Sequence, residues 1–177
     1  MNYSKIECPV VIEKFPLHDR HRDDLLDLMS EEPLGSLFND KDKISLSDWD
    51  FHNKDTKYSK YFLHLARNTI NQMIFSIQEP SLFRPMKVDN IWCQRYQTTD
   101  THSWHHHGGA AMSFVYYLEL PRGTPGTELM NPITKEIHQP PVEEGDIIMF
   151  PGFLFHRSPE NQSSEMKSVI AFNASYD

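Results

Sequence analysis

The sequence predicts a mainly β fold with α content (α+β), a double-stranded β-helix or jelly roll backed by N-terminal helices. Three observations lead there. Residues 59–78 carry one apolar stripe at helical spacing. After Pro85, short runs rich in Val, Ile, Phe and Tyr alternate with Gly, Pro and polar clusters, with no helical pattern between them. At 177 residues the chain is the size of one domain, long enough to bury a core. Residues 1–177 therefore read as a single domain, with a helical support region over 1–85 and a jelly-roll core over 86–177.

In chain order, Cys8 to Phe15 contains Val10, Val11 and Ile12 and reads as an opening strand closed by Pro16. From Asp19 to Ser30, Leu25, Leu26, Leu28 and Met29 cluster at helical spacing, and Pro33 prevents continuation. The polar stretch Asn39 to Lys57 reads as loop, pinned by Trp49 and Phe51. The clearest helix runs from Ser59 to Gln78, where Phe62, Leu63, Ala66, Ile70, Met73, Ile74 and Ile77 recur in steps of three and four. Pro80 and Pro85 end the helical half. Strands are then expected over Met86–Gln97, Met112–Leu120, Thr127–Asn131, Asp146–Pro151 and Lys167–Asn173.

Composition narrows the function classes. Hydrophobic content of 38% and aromatic content of 12% suit a globular chain. A formal charge of -8 makes nucleic acid and anionic membrane unexpected partners, since both surfaces would repel it. Cys8 and Cys93 fit neither a disulfide framework nor a zinc ribbon, and read as reduced thiols. No signal peptide or membrane-spanning run is recognisable, so a soluble, cytoplasmic protein is expected.

The strongest chemical signal lies at His105-His106-His107. On extended backbone, side chains two apart share a face, so His105 and His107 can converge while His106 points away. Imidazole nitrogens suit Fe(II), Zn(II) or Ni(II). A third ligand must come from elsewhere, and the candidate is His156, just beyond the apolar run Ile147–Phe150 and Pro151-Gly152. A solvated histidine cluster without metal is the bland alternative. His18, His21, His52, His64 and His138 lack such context and read as surface or packing residues. Asp100 precedes the pair at poor spacing for a ligand.

Four stretches in order resemble the 2-oxoglutarate/Fe(II) oxygenase superfamily, and within it a family of small bacterial and phage proteins with an His-x-His…His motif. They are Trp92–Tyr96 leading to His105–His107, Ala111–Leu118, Glu144–His156 and Lys167–Asn173. The likeness covers about residues 86–175. The interval from Tyr96 to His105 is also similar to that in prolyl 4-hydroxylases.

The resemblance implies an iron(II) enzyme with 2-oxoglutarate as cosubstrate and O2 as oxidant. His105, His107 and His156 would hold the metal. Lys167 would pair with the distal carboxylate of 2-oxoglutarate, Tyr117 would hydrogen-bond that carboxylate, and Tyr96 would line the cosubstrate pocket. No catalytic residue is implied beyond the metal ligands. Two departures matter. The superfamily's usual carboxylate ligand is replaced by His107, which leaves the site one unit more positive. Lys167 stands where arginine is common, and lysine pairs as a point charge without the two-pronged grip. The expected reaction is hydroxylation of a small-molecule or peptidyl substrate with release of succinate and CO2. Trp104, Phe150, Phe153 and Phe155 are candidate pocket walls, and Arg157, next to an inward His156, should point outward. Two alternatives stand beside this reading: a cupin-like three-histidine dioxygenase that does not use 2-oxoglutarate, and a non-catalytic metal- or ligand-binding jelly roll. Substrate and oligomeric state are not legible.

Overall fold

Strand alternation sorts the side chains of this protein into two interiors, one apolar and one chemical. A computed structural model describes residues 8–49 and 55–177. Its strands are β1 (Val11–Lys14), β2 (Gly35–Phe38), β3 (Lys43–Ser47), β4 (Met86–Tyr96), β5 (His102–His105), β6 (Met112–Glu119), β7 (Glu128–Met130), β8 (Ile137–His138), β9 (Asp146–Pro151), β10 (Phe155–Ser158) and β11 (Lys167–Tyr176). The helices are α1 (His18–Ser30) and α2 (Lys57–Ser76). A seven-stranded sheet runs β1-β9-β6-β11-β4-β3-β2, and a four-stranded sheet runs β5-β10-β7-β8. All pairings are antiparallel, as the jelly-roll expectation requires.

The central strand β11 shows how the two interiors arise. Ile170, Phe172 and Ala174 face one side and join Phe62, Ala66, Ile70, Met73 and Ile74 of α2 in a buried apolar cluster. The alternate residues Lys167, Val169, Ala171 and Asn173 face the cavity between the sheets. On β4, Ile91 and Cys93 belong to the helix side, whereas Trp92, Gln94 and Tyr96 line the cavity. α2 begins at Thr56, whose side chain accepts from the Ser59 N–H, and its stripe covers the outer face of the large sheet. α1 is tied on by Arg22, which donates to Glu119 at 3.1 Å and Glu144 at 3.1 Å. His18 is buried against the Tyr116 hydroxyl at 2.7 Å, in keeping with its reading as a packing residue.

Stretch 39–57 departs from the loop expectation. It contains β3, which pairs with β2 and with β4. The hairpin turns at Asn39, whose Oδ1 accepts from the N–H groups of Lys41 and Asp42. Among the described residues of the stretch, Ile44 is the one buried apolar side chain, so the apolar signal of this edge hairpin is thin. Phe51 and His52 lie outside the described residues. Three further strands, β5, β8 and β10, are too short and polar to stand out by pattern, and β11 continues past Asn173 to Tyr176.

Candidate metal centre and its cavity

β5 and β10 lie side by side, with His105 directly opposite His156. Their ring centroids are 4.2 Å apart. His105 Nδ1 lies 2.7 Å from the Ser103 carbonyl, and His156 Nδ1 lies 3.0 Å from the Leu154 carbonyl. A carbonyl only accepts, so Nδ1 carries the proton in both rings and the Nε2 lone pair is left free. The same partners fix ring orientation, as partners of metal-bound histidines do.

His107 arrives from the turn after β5. That turn is held by the His107 N–H donating to the Gly152 carbonyl and the Ala110 N–H donating to the His107 carbonyl. The Trp92 ring braces the His107 ring at 5.5 Å. One ligand atom from each of His105, His107 and His156 falls within 4.8 Å of the others. Burial and the neighbouring imidazoles push His107 down to about 4 and His156 well below the usual histidine range. All three are therefore neutral imidazoles at pH 7, the form that binds metal.

The structure adds a residue that sequence periodicity misses. His102 and His105 are three apart and belong on opposite faces of a regular strand. A register shift between the His105–His156 and His102–Ser158 pairs puts an extra residue into β5. His102 thereby also faces inward, and its ring stacks on His105 at 3.9 Å. The bulge is anchored by Asp42, whose Oδ1 accepts from both the N–H and the hydroxyl of Ser103. Tyr96 O–H donates to Gln94 Oε1 at 2.8 Å, so the Gln94 amide nitrogen faces His102 Nδ1 at 3.3 Å. His102 Nδ1 must then accept, which leaves an Nε2–H on a ring that lines the cavity.

Lys167 is 1% exposed. Its ammonium donates to the Pro125 carbonyl at 2.9 Å and Ser158 Oγ at 2.9 Å, and lies 5.5 Å from the Tyr96 ring centre. No carboxylate bonds it, and burial pushes it down to about 7. Tyr117 donates to Thr127 Oγ1 at 2.8 Å and accepts from the Thr127 N–H at 2.9 Å. With its oxygen so used, Thr127 has its own O–H free to donate. Burial raises both Tyr96 and Tyr117, the latter to about 12, so both remain neutral phenols.

All six residues singled out in the sequence, His105, His107, His156, Lys167, Tyr96 and Tyr117, line one narrow cavity of about 30 Å³. His102, Gln94, Thr127 and Ser158 line it too, and none of these four carried a recognisable sequence signal. The aromatic walls differ from the expected ones. Phe153 and Phe155 are exposed, Trp104 lies under the Arg157 guanidinium, and Phe150 packs on His156. Trp92, Val115, Val169 and Ala171 form the apolar lining instead. Arg157 does turn away, to Glu128 at 2.6 Å. Asp100 accepts from the N–H groups of Ser45 and Gln97 and stands apart from the histidines.

Residues 90–173 match a family model described as "Putative 2OG-Fe(II) oxygenase". Solved structures agree in fold. A viral collagen prolyl hydroxylase from Paramecium Bursaria Chlorella virus-1, in complex with 2-oxoglutarate, superposes with TM-score 0.67 at 14% identity, covering 93% of this chain and 94% of its own. An oxidoreductase of the 2OG-Fe(II) oxygenase family from Burkholderia pseudomallei gives 0.72 at 10% identity, over 94% and 85%. A Pseudomonas putida prolyl-4-hydroxylase gives 0.61 at 14%, over 94% and 92%. No curated protein sequence matches significantly.

The fold is thus the jelly roll shared with solved 2OG-Fe(II) oxygenases. Over residues 90–173 the chain matches the family model of 2OG-Fe(II) oxygenases, oxidoreductases that use Fe(II), 2-oxoglutarate and O2. Among the described residues, no helix is long and apolar enough to cross a membrane.

Proposed function

We propose that the protein hydroxylates an organic substrate at an Fe(II) ion held by His105, His107 and His156, with 2-oxoglutarate reaching from that ion to Lys167. The observation that carries this reading is the convergence of three neutral imidazoles and an unpaired buried ammonium in one cavity. The donor set fits the metal. Histidine nitrogens bind iron, two rings already hold their Nδ1 protons on carbonyls, and a spread within 4.8 Å closes by small ring rotations.

Fe(II), when bound, supplies O2 activation coupled to decarboxylation of 2-oxoglutarate, so that succinate, CO2 and a hydroxylated product result. The rest is the work of the chain. Lys167 offers a buried cation to the distal carboxylate, and Ser158 holds that ammonium in place. The role expected of Tyr117 passes through Thr127: the phenol donates to Thr127 Oγ1, and the freed Thr127 O–H is the donor to the carboxylate. Tyr96 underlies the ammonium and fixes the Gln94 amide. Trp92, Val115, Val169 and Ala171 exclude water. The cupin-like alternative has no use for an ammonium buried this deeply with no carboxylate bonded to it among the described residues.

The test is anaerobic titration with Fe(II) and 2-oxoglutarate, followed by succinate measurement in air. A weak visible charge-transfer band that needs both components, and succinate formation even without primary substrate, are expected. Absence of both would sink the proposal.

A further inference from the structure

The register of the large sheet resolves the cavity floor into rows. Tyr96 lies beside Lys167; Gln94, Val169 and Tyr117 form the next row; Trp92, Ala171 and Val115 the third; Asn90, Asn173 and Ser113 the last. Each row is two residues, or ~6.8 Å, from the next. His107 stands over the third row at Trp92, and His156 packs on Phe150, the register partner of Ser113 in the last row. The last row is therefore the end of the floor farthest from Lys167, on the other side of His107.

That far row is polar where a merely structural floor would be apolar. Asn173 and Ser113 are buried, and Ser113 O–H donates to Asn173 Oδ1 at 2.8 Å. The Asn173 amide is thereby fixed with its Nδ2 hydrogens unused. Two neighbouring atoms are wholly unmatched: the indole Nε1–H of Trp92, a ring only 5% exposed, and Asn90 Oδ1. Neither is reached by bulk solvent in the free protein. Orphaned buried polar atoms ask for an explanation. Here one is a donor and one an acceptor: Trp92 lines the cavity, and Asn90 lies just beyond it in the same alternation of β4.

We infer that the row formed by Asn90, Asn173 and Ser113, with the Trp92 indole, binds a carboxamide of the primary substrate: its C=O accepts from Trp92 Nε1–H and Asn173 Nδ2, and its N–H donates to Asn90 Oδ1. Uptake uncovers Trp92 Nε1 and turns the Asn90 side chain toward the cavity. The assignment of this group to the primary substrate rests on the proposed function, which sends 2-oxoglutarate to the Lys167 end. A charged group fits poorly, because the row holds no ionisable side chain. An ester would leave Asn90 unmatched.

The experiment uses the full-length protein with ¹⁵N-labelled tryptophan, whose 3 indoles give resolvable signals. Trp92→Phe assigns the Trp92 signal. The protein is titrated with and without Zn(II) plus 2-oxoglutarate, using acetamide, N-acetylglycine methylamide, N,N-dimethylacetamide and methyl acetate as probes. Saturable movement of the Trp92 indole is expected with the first two, and about tenfold weaker binding of the last two. Tighter binding of the blocked glycine than of acetamide marks a peptidyl source, and the reverse a free amide; either supports the inference. Asn90→Leu should erase the preference for an N–H, while Asn90→Asp, which keeps the acceptor, should retain it. No movement with any probe, or ester and amide binding alike, overturns the inference. Failure of Zn(II) and 2-oxoglutarate to bind would show separately, as indole spectra unchanged by either, and would count against the proposed function instead.

Discussion

Side chain by side chain, the chemistry reduces to neutral nitrogens around one point and one stranded cation. His107→Ala should leave the fold intact, since the ring is only half-buried, and lower Fe(II)-dependent succinate formation at least ~100-fold, read by a succinate assay beside circular dichroism. Lys167 gives a pH signature of its own. Its folded-state value, about 7, lies below its unfolded value, so between the two the unfolded chain binds more protons and stability of the ligand-free protein rises with pH. Thermal melts from pH 7 to 9.5 should show that rise, and Lys167→Met should abolish it while raising the melting temperature at pH 7. Binding of 2-oxoglutarate should run the opposite way. Above pH 7 the dianion must bring a proton to Lys167, so Kd should increase by up to about tenfold per pH unit, measured calorimetrically. His105, His107, His156 and Lys167, which the structure brings to one cavity, stood out as letters because ordered motifs carry them. His102 and Thr127 were not, because a bulge and a shared hydroxyl leave no trace in spacing.

At the level of elements, precision comes from short, unpromising pieces. β5 spans only His102–His105, yet its bulge aims two imidazoles, and Asp42 anchors it through Ser103. Burial pushes the Asp42 carboxyl up, but hydrogen bonds from Ser103 and Asn39 outweigh this and hold it at about 2. Its folded value is depressed, so its contribution is present above pH ~4 and lost as pH falls through about 2. Asp42→Ala should cost about 1–2 kcal/mol in chemical denaturation and weaken metal binding, since β5 loses its anchor. The turn bearing His107 has a comparable dependence on Gly152. A Cβ there would meet the Ala110 carbonyl oxygen at 2.5 Å and the His107 carbonyl oxygen at 2.8 Å, both backbone. Gly152→Ala should therefore displace His107 and weaken iron binding about tenfold or more, whereas Gly109→Ala, with nothing within 4 Å, should not. Long, periodic elements such as α2 and β4 were readable to within two residues. The β2–β3 hairpin was hidden by its polar edge, where among the described residues a single buried apolar side chain, Ile44, supplies the pattern.

Across the whole molecule, recognisable sequence and recognisable chemistry coincide. The family match begins at residue 90, and every cavity-lining residue lies between Trp92 and Asn173. The first half matched no known pattern because its task, covering a sheet with apolar helices, can be met by many sequences. Joint addition of Mn(II), as an O2-inert substitute, and 2-oxoglutarate at 100 times their Kd should raise unfolding stability by several kcal/mol, scored by the shift in melting temperature. Strand β11 has a further consequence for how such a protein can diverge. Its odd-numbered residues from Lys167 to Asn173 line the cavity while the even ones from Ile170 to Ala174 hold the core. Inserting or deleting one letter would exchange the two sets, drowning an ammonium in hydrocarbon and presenting phenylalanine to the oxidant. New specificities must then come by replacement on this strand, or by length changes in the connections around it, never by sliding it.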